Sequence, residues 1–218
     1  MPVPIEVNGL EGAVTPQKGP KRFQVRFHGR GGQGVVTAAE LLSVAAFLEG
    51  KFAQAFPSFG SERAGAPVVA FCRISDAEIR THAPIVVPDA LVIQDATLLH
   101  QVDVFSGLGP EGYLLINTTH SFDELGLGEF ASGFQRDRLA TVPATKLALE
   151  HIGRPVPNAV LLGGLAALSD IVSIDAVVSA IRERFAGSVA DGNAAAATAA
   201  YSVVAEGRKE VASHAAPA

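Results

Sequence analysis

A glycine-rich loop between a strand pattern and a helix pattern constrains this chain more than any other feature. Residues 22–27 alternate polar and apolar side chains, which is typical of a β-strand. Residues 35–49 contain neither glycine nor proline, and their alanines would let a helix approach a sheet closely. The hexapeptide between the two patterns is Gly29-Arg30-Gly31-Gly32-Gln33-Gly34. This order predicts a strand–loop–helix unit at the start of an α/β fold.

The hexapeptide has the composition of an anion-binding turn. Gly29, Gly31 and Gly34 satisfy the G-x-G-x-x-G spacing in the context that this pattern requires. Glycine permits positive φ and close approach, and the free amides at a helix start attract an anion. Arg30 adds a positive charge with five N–H donors. The same glycines could serve only a tight, closely packed turn, but Arg30 and Gln33 favour contact with a ligand or with a partner's loop.

The rest of the chain alternates strand and helix patterns. Apolar runs predict strands over 52–56, 67–75, 90–94, 112–117 and 139–142, with 79–82 as a possible further strand paired across a turn. Helices are predicted over 97–105, over 145–151 and through most of the chain after residue 158, with Ser173 as a helix cap. We therefore predict a Rossmann-like, mostly parallel sheet flanked by helices, with a helical C-terminal part. Residues 1–20 are expected to form an extended arm, 21–206 a single domain and 207–218 a C-terminal tail.

Composition excludes several classes of protein. The chain has 218 residues and a net charge of −5, which argues against a nucleic-acid binder with a basic footprint. Its single cysteine, Cys72, forms no internal disulfide and cannot by itself hold an iron–sulfur cluster. No apolar run reaches the roughly 20 residues that span a bilayer, and the N-terminus has no signal-peptide pattern. These observations predict a cytoplasmic protein without a membrane span.

A dinucleotide-binding dehydrogenase or regulatory module is an alternative for the glycine loop. Such proteins need an acidic residue at the end of the second strand, about 20 residues further on, to hold the ribose hydroxyls. Here that strand runs into Pro57 and Ser58, and the nearest acid is Glu62 within a polar loop. The loop could bind phosphate, but the ribose determinant is missing.

Two motifs together resemble a known family. GRGGQGVVTAAELL is followed about 25 residues later by FPSFGSERAGAPVVAFCRIS, and later segments include PDALVIQD, GPEGYLLINT and NAVLLGGLAAL. In this order they resemble the gamma subunit, or fused gamma domain, of the thiamine-diphosphate-dependent 2-oxoacid:ferredoxin oxidoreductases, which include pyruvate synthase. The resemblance covers roughly residues 22–205. One departure is Arg63-Ala64-Gly65, where family members commonly have Arg-Gly-Gly or Arg-Arg-Gly.

The resemblance implies a subunit of a larger enzyme. The family oxidatively decarboxylates a 2-oxoacid to acyl-CoA and CO2 and passes two electrons through iron–sulfur clusters to ferredoxin or a flavin- or NAD-linked acceptor. It implies alpha, beta and delta partner subunits that hold thiamine diphosphate, Mg²⁺ and [4Fe-4S] clusters. This chain lacks the G-D-G thiamine motif, and its histidines show no metal-ligand spacing. We expect no catalytic and no metal-ligating residue in it.

The resemblance also implies site residues. The gamma domain is associated with coenzyme A, so residues 29–34 are expected to bind the CoA phosphates, with Arg30 as the charge partner. A second segment is a candidate active-site or interface loop, with Phe59, Ser61, Glu62 and Arg63 as its candidates. The residues by themselves also allow an alternative. In it, the charged side chains of this loop pair within the chain, and the loop only shapes a contact between subunits. A purely structural assembly subunit, whose glycine loop touches only protein, also remains open.

Overall fold

The computed structural model describes residues 21–58 and 64–215 of the chain. The strands in this described part form one sheet and are β1 (Arg22–Arg30), β2 (Phe52–Pro57), β3 (Pro67–Ser75), β4 (Ala90–Ile93), β5 (Tyr113–Asn117) and β6 (Leu139–Val142). The helices are α1 (Val35–Leu48), α2 (Gly128–Ser132), α3 (Ala144–Ile152), α4 (Asn158–Ser169), α5 (Ile174–Arg184) and α6 (Gly187–Ala215). The α/β prediction is confirmed.

The six strands lie in the order β2-β3-β1-β4-β5-β6. The pairs β1–β4, β4–β5 and β5–β6 are parallel, as the βα alternation of the sequence predicts. Strand β3 is antiparallel to both of its neighbours, so β2 and β3 pair as a hairpin rather than as a parallel crossover unit. This hairpin inserts β3 between β1 and β2, so β2 becomes the edge of the sheet.

The two faces of the sheet bury separate apolar clusters. Val25 and Phe27 of β1 and Val92 of β4 pack with α1, α4, α5 and α6 on one face. Leu91 and Ile93 pack on the other face, against a short 3-10 turn (Ala96–His100) and α2. Because β4 is covered on both faces, its four residues are all buried, which explains the continuous apolar run in the sequence.

The helical C-terminal part is built on a close crossing of α4 and α6. All residues of α4 from Asn158 to Leu168 are buried. A Cβ at Gly163 would overlap the carbonyl oxygen of Ala197, so glycine is what lets the two helices approach. The alanine-rich stretch of α6 is therefore core, which accounts for its lack of charge.

Three predicted local structures differ from the structure. Residues 79–82 form no strand, because Arg73 donates hydrogen bonds to the carbonyls of Thr81 and Ala83 and holds this segment as a loop. Of the helix predicted over 97–105, only the 3-10 turn at Ala96–His100 forms. Residues 207–215, predicted as a tail, continue α6 without interruption. Within the described ranges, no helix combines the length and apolar character that crossing a membrane requires.

Candidate functional site

The glycine loop places the start of α1 at the carboxyl end of β1. Gly32 and Gly34 have φ values of 95° and 71°, a left-handed conformation that glycine adopts without strain. Gly34 is the N-cap of α1, and no described side chain caps the helix. The first turn contains no acidic residue, and the amides of Val35, Val36 and Thr37 donate to no other described residue. Unpaired amides and the helix dipole make this terminus attractive to an anion.

Neighbouring backbone and side chains hold the loop in place. The amide of Gly31 donates to the carbonyl of Ala66 at 2.9 Å, and the amide of Gly65 donates to the carbonyl of Gly31 at 3.1 Å. The side-chain oxygen of Gln33 accepts from the amide of Arg30 at 2.8 Å. The loop is thus already ordered by the chain itself, which lowers the entropic cost of binding a ligand.

Arg30 is engaged within the protein. Its guanidinium donates to the carboxylate of Asp95 at 3.1 Å and to the carbonyl of Gly65 at 3.1 Å. It also donates to Thr97 Oγ1 at 2.6 Å and to Gln101 Oε1 at 2.8 Å. Four hydrogen bonds and the charge of Asp95 leave little of the Arg30 charge for a ligand, so its role as a charge partner stays a prediction.

Asp95 is the acceptor around which this arrangement forms. Besides Arg30, its carboxylate accepts from Gln33 Nε2 at 2.8 Å and from the amide and hydroxyl of Thr97. Burial acts to raise the pKa of Asp95, but the hydrogen bonds from Thr97 and Gln33, with the Arg30 charge, outweigh it and lower the pKa. The ionised carboxylate caps the 3-10 turn and ties it to the glycine loop. Asp95 is therefore a cap and a positioning residue.

Two further polar residues, neither of them among the predicted site residues, lie beside the loop. Asn158, at the start of α4, has its Nδ2 atom 2.4 Å from the point where a Cβ of Gly34 would stand. Gln94 follows β4, is 1% exposed, and has its Cβ next to Gly29. Neither polar atom of the Gln94 side chain has a hydrogen-bond partner in the described structure. An enclosed amide without partners is costly, so Gln94 is a polar group that the described residues leave unsatisfied.

A shallow cavity of about 310 Å³ lies over the helix start. Its walls are Arg30, the glycines of the loop, the first turn of α1 and Val68, and none of them is acidic. The free amides and the absence of carboxylates from this lining fit an anionic ligand. The assignment of residues 29–34 to the CoA phosphates stays a prediction.

Comparison with known proteins assigns the family. Residues 24–203 match the pyruvate ferredoxin/flavodoxin oxidoreductase family. The chain is 49% identical over 179 residues to the pyruvate synthase subunit PorC of Methanothermobacter marburgensis, covering 82% of this chain and 96% of that protein. The chain belongs to this family. Another member, the common gamma subunit of the pyruvate/ketoisovalerate oxidoreductases of Pyrococcus furiosus, is 48% identical over 82% of this chain and 95% of its own.

Solved structures that are similar to this chain have the same fold. The pyruvate oxidoreductase subunit PORC of Thermotoga maritima matches with a TM-score of 0.70 and 35% identity, over 84% of this chain and 96% of its own. A 2-oxoglutarate:ferredoxin oxidoreductase from Magnetococcus marinus, solved with 2-oxoglutarate, coenzyme A and succinyl-CoA, matches with a TM-score of 0.59. At 16% identity, over 91% of this chain and 32% of that one, the second match shows a shared fold.

The second predicted segment of this oxidoreductase subunit lies largely outside the described residues. Phe59, Ser61, Glu62 and Arg63 all fall between Ser58 and Ala64, so their role stays a prediction. The residues after them are placed, because Gly65 and Ala66 bond to Gly31 of the glycine loop. The described structure therefore resumes directly beside the candidate phosphate site, by which we mean the glycine loop and the first turn of α1.

Three further residues with reactive or polar side chains have structural roles. Cys72 is fully buried, and burial raises the pKa of its thiol far above the ordinary value, as in an inert core cysteine. His28 is buried and accepts a hydrogen bond from Arg26 at 3.0 Å. Asn117 bonds to the carbonyl of Gln94 and to Thr145, so it joins β5 to α3. The described residues contain no group of three or more histidine, cysteine or acidic side chains placed to hold a metal.

Proposed function

We propose that this chain, as the gamma subunit of a 2-oxoacid:acceptor oxidoreductase, binds coenzyme A at the start of α1 and helps to close the active site. Its complex would convert a 2-oxoacid to acyl-CoA and CO2 in the cytoplasm and pass electrons to ferredoxin or to a flavin- or NAD-linked acceptor. Alpha, beta and delta subunits would hold thiamine diphosphate, Mg²⁺ and the [4Fe-4S] clusters. Membership of the family and the gamma-type relatives support this assignment.

The proposed contribution of this chain is binding and orientation. The thiol of coenzyme A, when bound, accepts the acyl group. The amides of Val35, Val36 and Thr37 would donate to the CoA phosphates, and Gly32 and Gly34 would admit those phosphates close to the backbone. Asp95 and Arg30 would keep these donors in place. Holding one reactant in position lowers the entropic part of the barrier without any bond-breaking residue in this subunit.

The observation that supports the proposal most directly is the uncapped start of α1. A 14-residue helix begins there with free amides, without an acidic residue in its first turn and over a cavity lined by glycines. Side-chain caps are the usual partners of such amides, and here a ligand would take their place.

The dehydrogenase alternative is less compatible with the sheet. In dinucleotide-binding proteins the acid that holds the ribose follows the strand adjacent to the glycine loop. Here β3 lies between β1 and β2, so the end of β2 is two strand spacings, about 10 Å, from the end of β1. Such a separation disfavours the ribose contact.

Replacement of Val36 by an acid tests the proposed site. Val36→Glu places a carboxylate among the α1 amides, where it favours the helix dipole but repels a phosphate. We expect the apparent KM for CoA of the assembled complex to rise about tenfold or more. Thiamine diphosphate content should be unchanged, and any loss of Val36 packing against the core is shared by the uncharged control.

The matched control is Val36→Gln, because a glutamine side chain has the shape of glutamate without its charge. It should leave the KM for CoA within about twofold of the wild-type value. If the two variants have equal KM values, no phosphate binds at this helix start.

A further inference from the structure

A second cavity of about 380 Å³ adjoins the candidate phosphate site. Thr37 of α1 lines both cavities. Asn158, which lies against Gly34 of the glycine loop, is part of the second cavity's wall. The two cavities are therefore neighbours across the first turn of α1, and one extended ligand could occupy both.

The wall of the second cavity is cationic. Arg154, after α3, and Arg184, at the end of α5, both line it and are exposed. Neither guanidinium forms an ion pair with a described residue, whereas Arg182 on the same helix is paired with Asp191. The lining contains no aspartate or glutamate. In a chain with a net charge of −5, two such arginines on one cavity without a carboxylate are a local reversal of charge.

A buried amide also faces this cavity. Asn158 is 4% exposed, and its side-chain oxygen accepts from the amide of Ala159 at 2.8 Å. Its Nδ2 group donates to no described residue, although the residue lines the cavity. This N–H group is therefore available to an acceptor on a ligand in the cavity.

We propose that this second cavity binds the 3′-phosphate of coenzyme A through Arg154, Arg184 and the Nδ2 group of Asn158. This inference rests on the proposed function, which assigns the diphosphate to the α1 amides. A phosphate monoester is close to a dianion at neutral pH, and guanidinium groups are its best partners in proteins. The diphosphate instead suits the amides of a glycine loop, because each of its phosphates has a single negative charge that the helix start can balance.

The test compares two nucleotides that differ only in the 3′-phosphate. The assembled complex is titrated calorimetrically with adenosine 3′,5′-bisphosphate and with adenosine 5′-monophosphate. In Arg154→Ala/Arg184→Ala we expect the affinity for the bisphosphate to fall about tenfold or more, while the affinity for the monophosphate stays within about twofold. The same variant should raise the apparent KM for CoA but not for 3′-dephospho-CoA.

Arg182→Ala is the matched control, since it removes an exposed arginine from the same helix without touching the cavity. It should change neither affinity. Unchanged bisphosphate affinity in the double variant would overturn the inference, and so would an equal loss for both nucleotides. Both arginines are exposed, so a thermal melt should show an unchanged fold.

The variant Val36→Glu separates this inference from the proposed function. If Val36→Glu weakens both nucleotides and the double arginine variant weakens neither, the site at α1 stands and the second cavity is not its 3′-phosphate site. If Val36→Glu weakens neither nucleotide, the proposed CoA site at α1 is wrong, and the inference falls with it.

Discussion

At the scale of single residues, the unusual feature of this subunit is a buried arginine with no described carboxylate bound to it. Arg26 is 8% exposed and donates to the carbonyls of Val104 at 3.0 Å and Ser106 at 2.5 Å. Its Nε donates to Nε2 of His28, which is 6% exposed. Only a neutral imidazole can accept this bond, so His28 must be unprotonated in the folded protein.

This pair predicts an acid-sensitive fold. Burial and then the Arg26 charge lower the pKa of His28 to about 4, from 6.5 in the unfolded chain. The unfolded chain therefore binds the proton more readily, and the free energy of unfolding falls as the pH drops from about 6.5 towards 4. The loss attributable to His28 is about 3 kcal/mol across this window. Urea unfolding at a series of pH values measures it.

The control for this prediction is His28→Gln, whose side-chain oxygen still accepts from Arg26 but does not titrate. The variant should lose less stability than the wild type between pH 6.5 and 4, since only carboxylates then contribute. Identical pH slopes for the two proteins would contradict a neutral, buried His28.

At the scale of secondary-structure elements, close approach between helices depends on single glycines. Gly163 lies where α4 crosses α6, and a Cβ there would meet the backbone of Ala197. The adjacent Gly164 is different, because its nearest atom is a methyl group of Leu115 at 3.2 Å. Backbone cannot yield as the end of a side chain does, so these neighbouring positions should respond differently to one added methyl group.

The expected result is a stability difference between two alanine variants. Gly163→Ala should lower the free energy of unfolding by about 2 kcal/mol or more, because overpacking separates α4 from α6. Gly164→Ala should be close to neutral, since the better helix propensity of alanine offsets a small shift of Leu115. Urea denaturation of both variants checks this, and equal stabilities would argue against a tight α4–α6 crossing.

At the scale of the whole molecule, the carboxyl ends of β1 and β4 meet at one edge of the sheet, where Arg30 links three segments of the chain. These segments are the glycine loop, the residues from 64 onwards and the 3-10 turn, and the links run through Gly65, Asp95 and Thr97. Because neighbouring parallel strands end at the same edge, residues 65 positions apart in sequence form one ion pair. We expect this connection to determine how well the assembled complex uses CoA.

Arg30 variants in the assembled complex test that expectation. Arg30→Ala should raise the apparent KM for CoA about tenfold with little change in kcat, and it should leave thiamine diphosphate content unchanged. Arg30→Lys should resemble the alanine variant, because an ammonium group cannot span the four acceptors that the planar guanidinium reaches. Steady-state kinetics at varied CoA concentration measure both.

The lysine variant decides between two roles for Arg30. If Arg30→Lys restores the wild-type KM, the charge alone matters and the sequence prediction of a direct phosphate contact is favoured. If it does not restore the KM, Arg30 acts by positioning the loop.

Local patterns in the sequence determined the bounds of several strands and helices and the family of this protein. The bounds of β3, the start of α1 after the glycine loop and the Ser173 cap of α5 follow from alternation, glycine chemistry and capping within a few residues. The paired glycine-loop and loop-to-strand motifs likewise sufficed to assign the family. These signals are readable because their physical causes act between residues that are close in the chain.

Tertiary structure alone decided the position of β3, the partners of Arg30 and the place of Asn158. The sequence around Arg30 does not show whether its side chain faces a ligand or Asp95. The ion pair between Arg30 and Asp95 depends on which strands become neighbours in the sheet. The same is true of Asn158, which meets the glycine loop only because α4 packs beside α1. Strand order and helix packing follow from the burial of the entire apolar core, and that is a property of the whole chain rather than of any short segment.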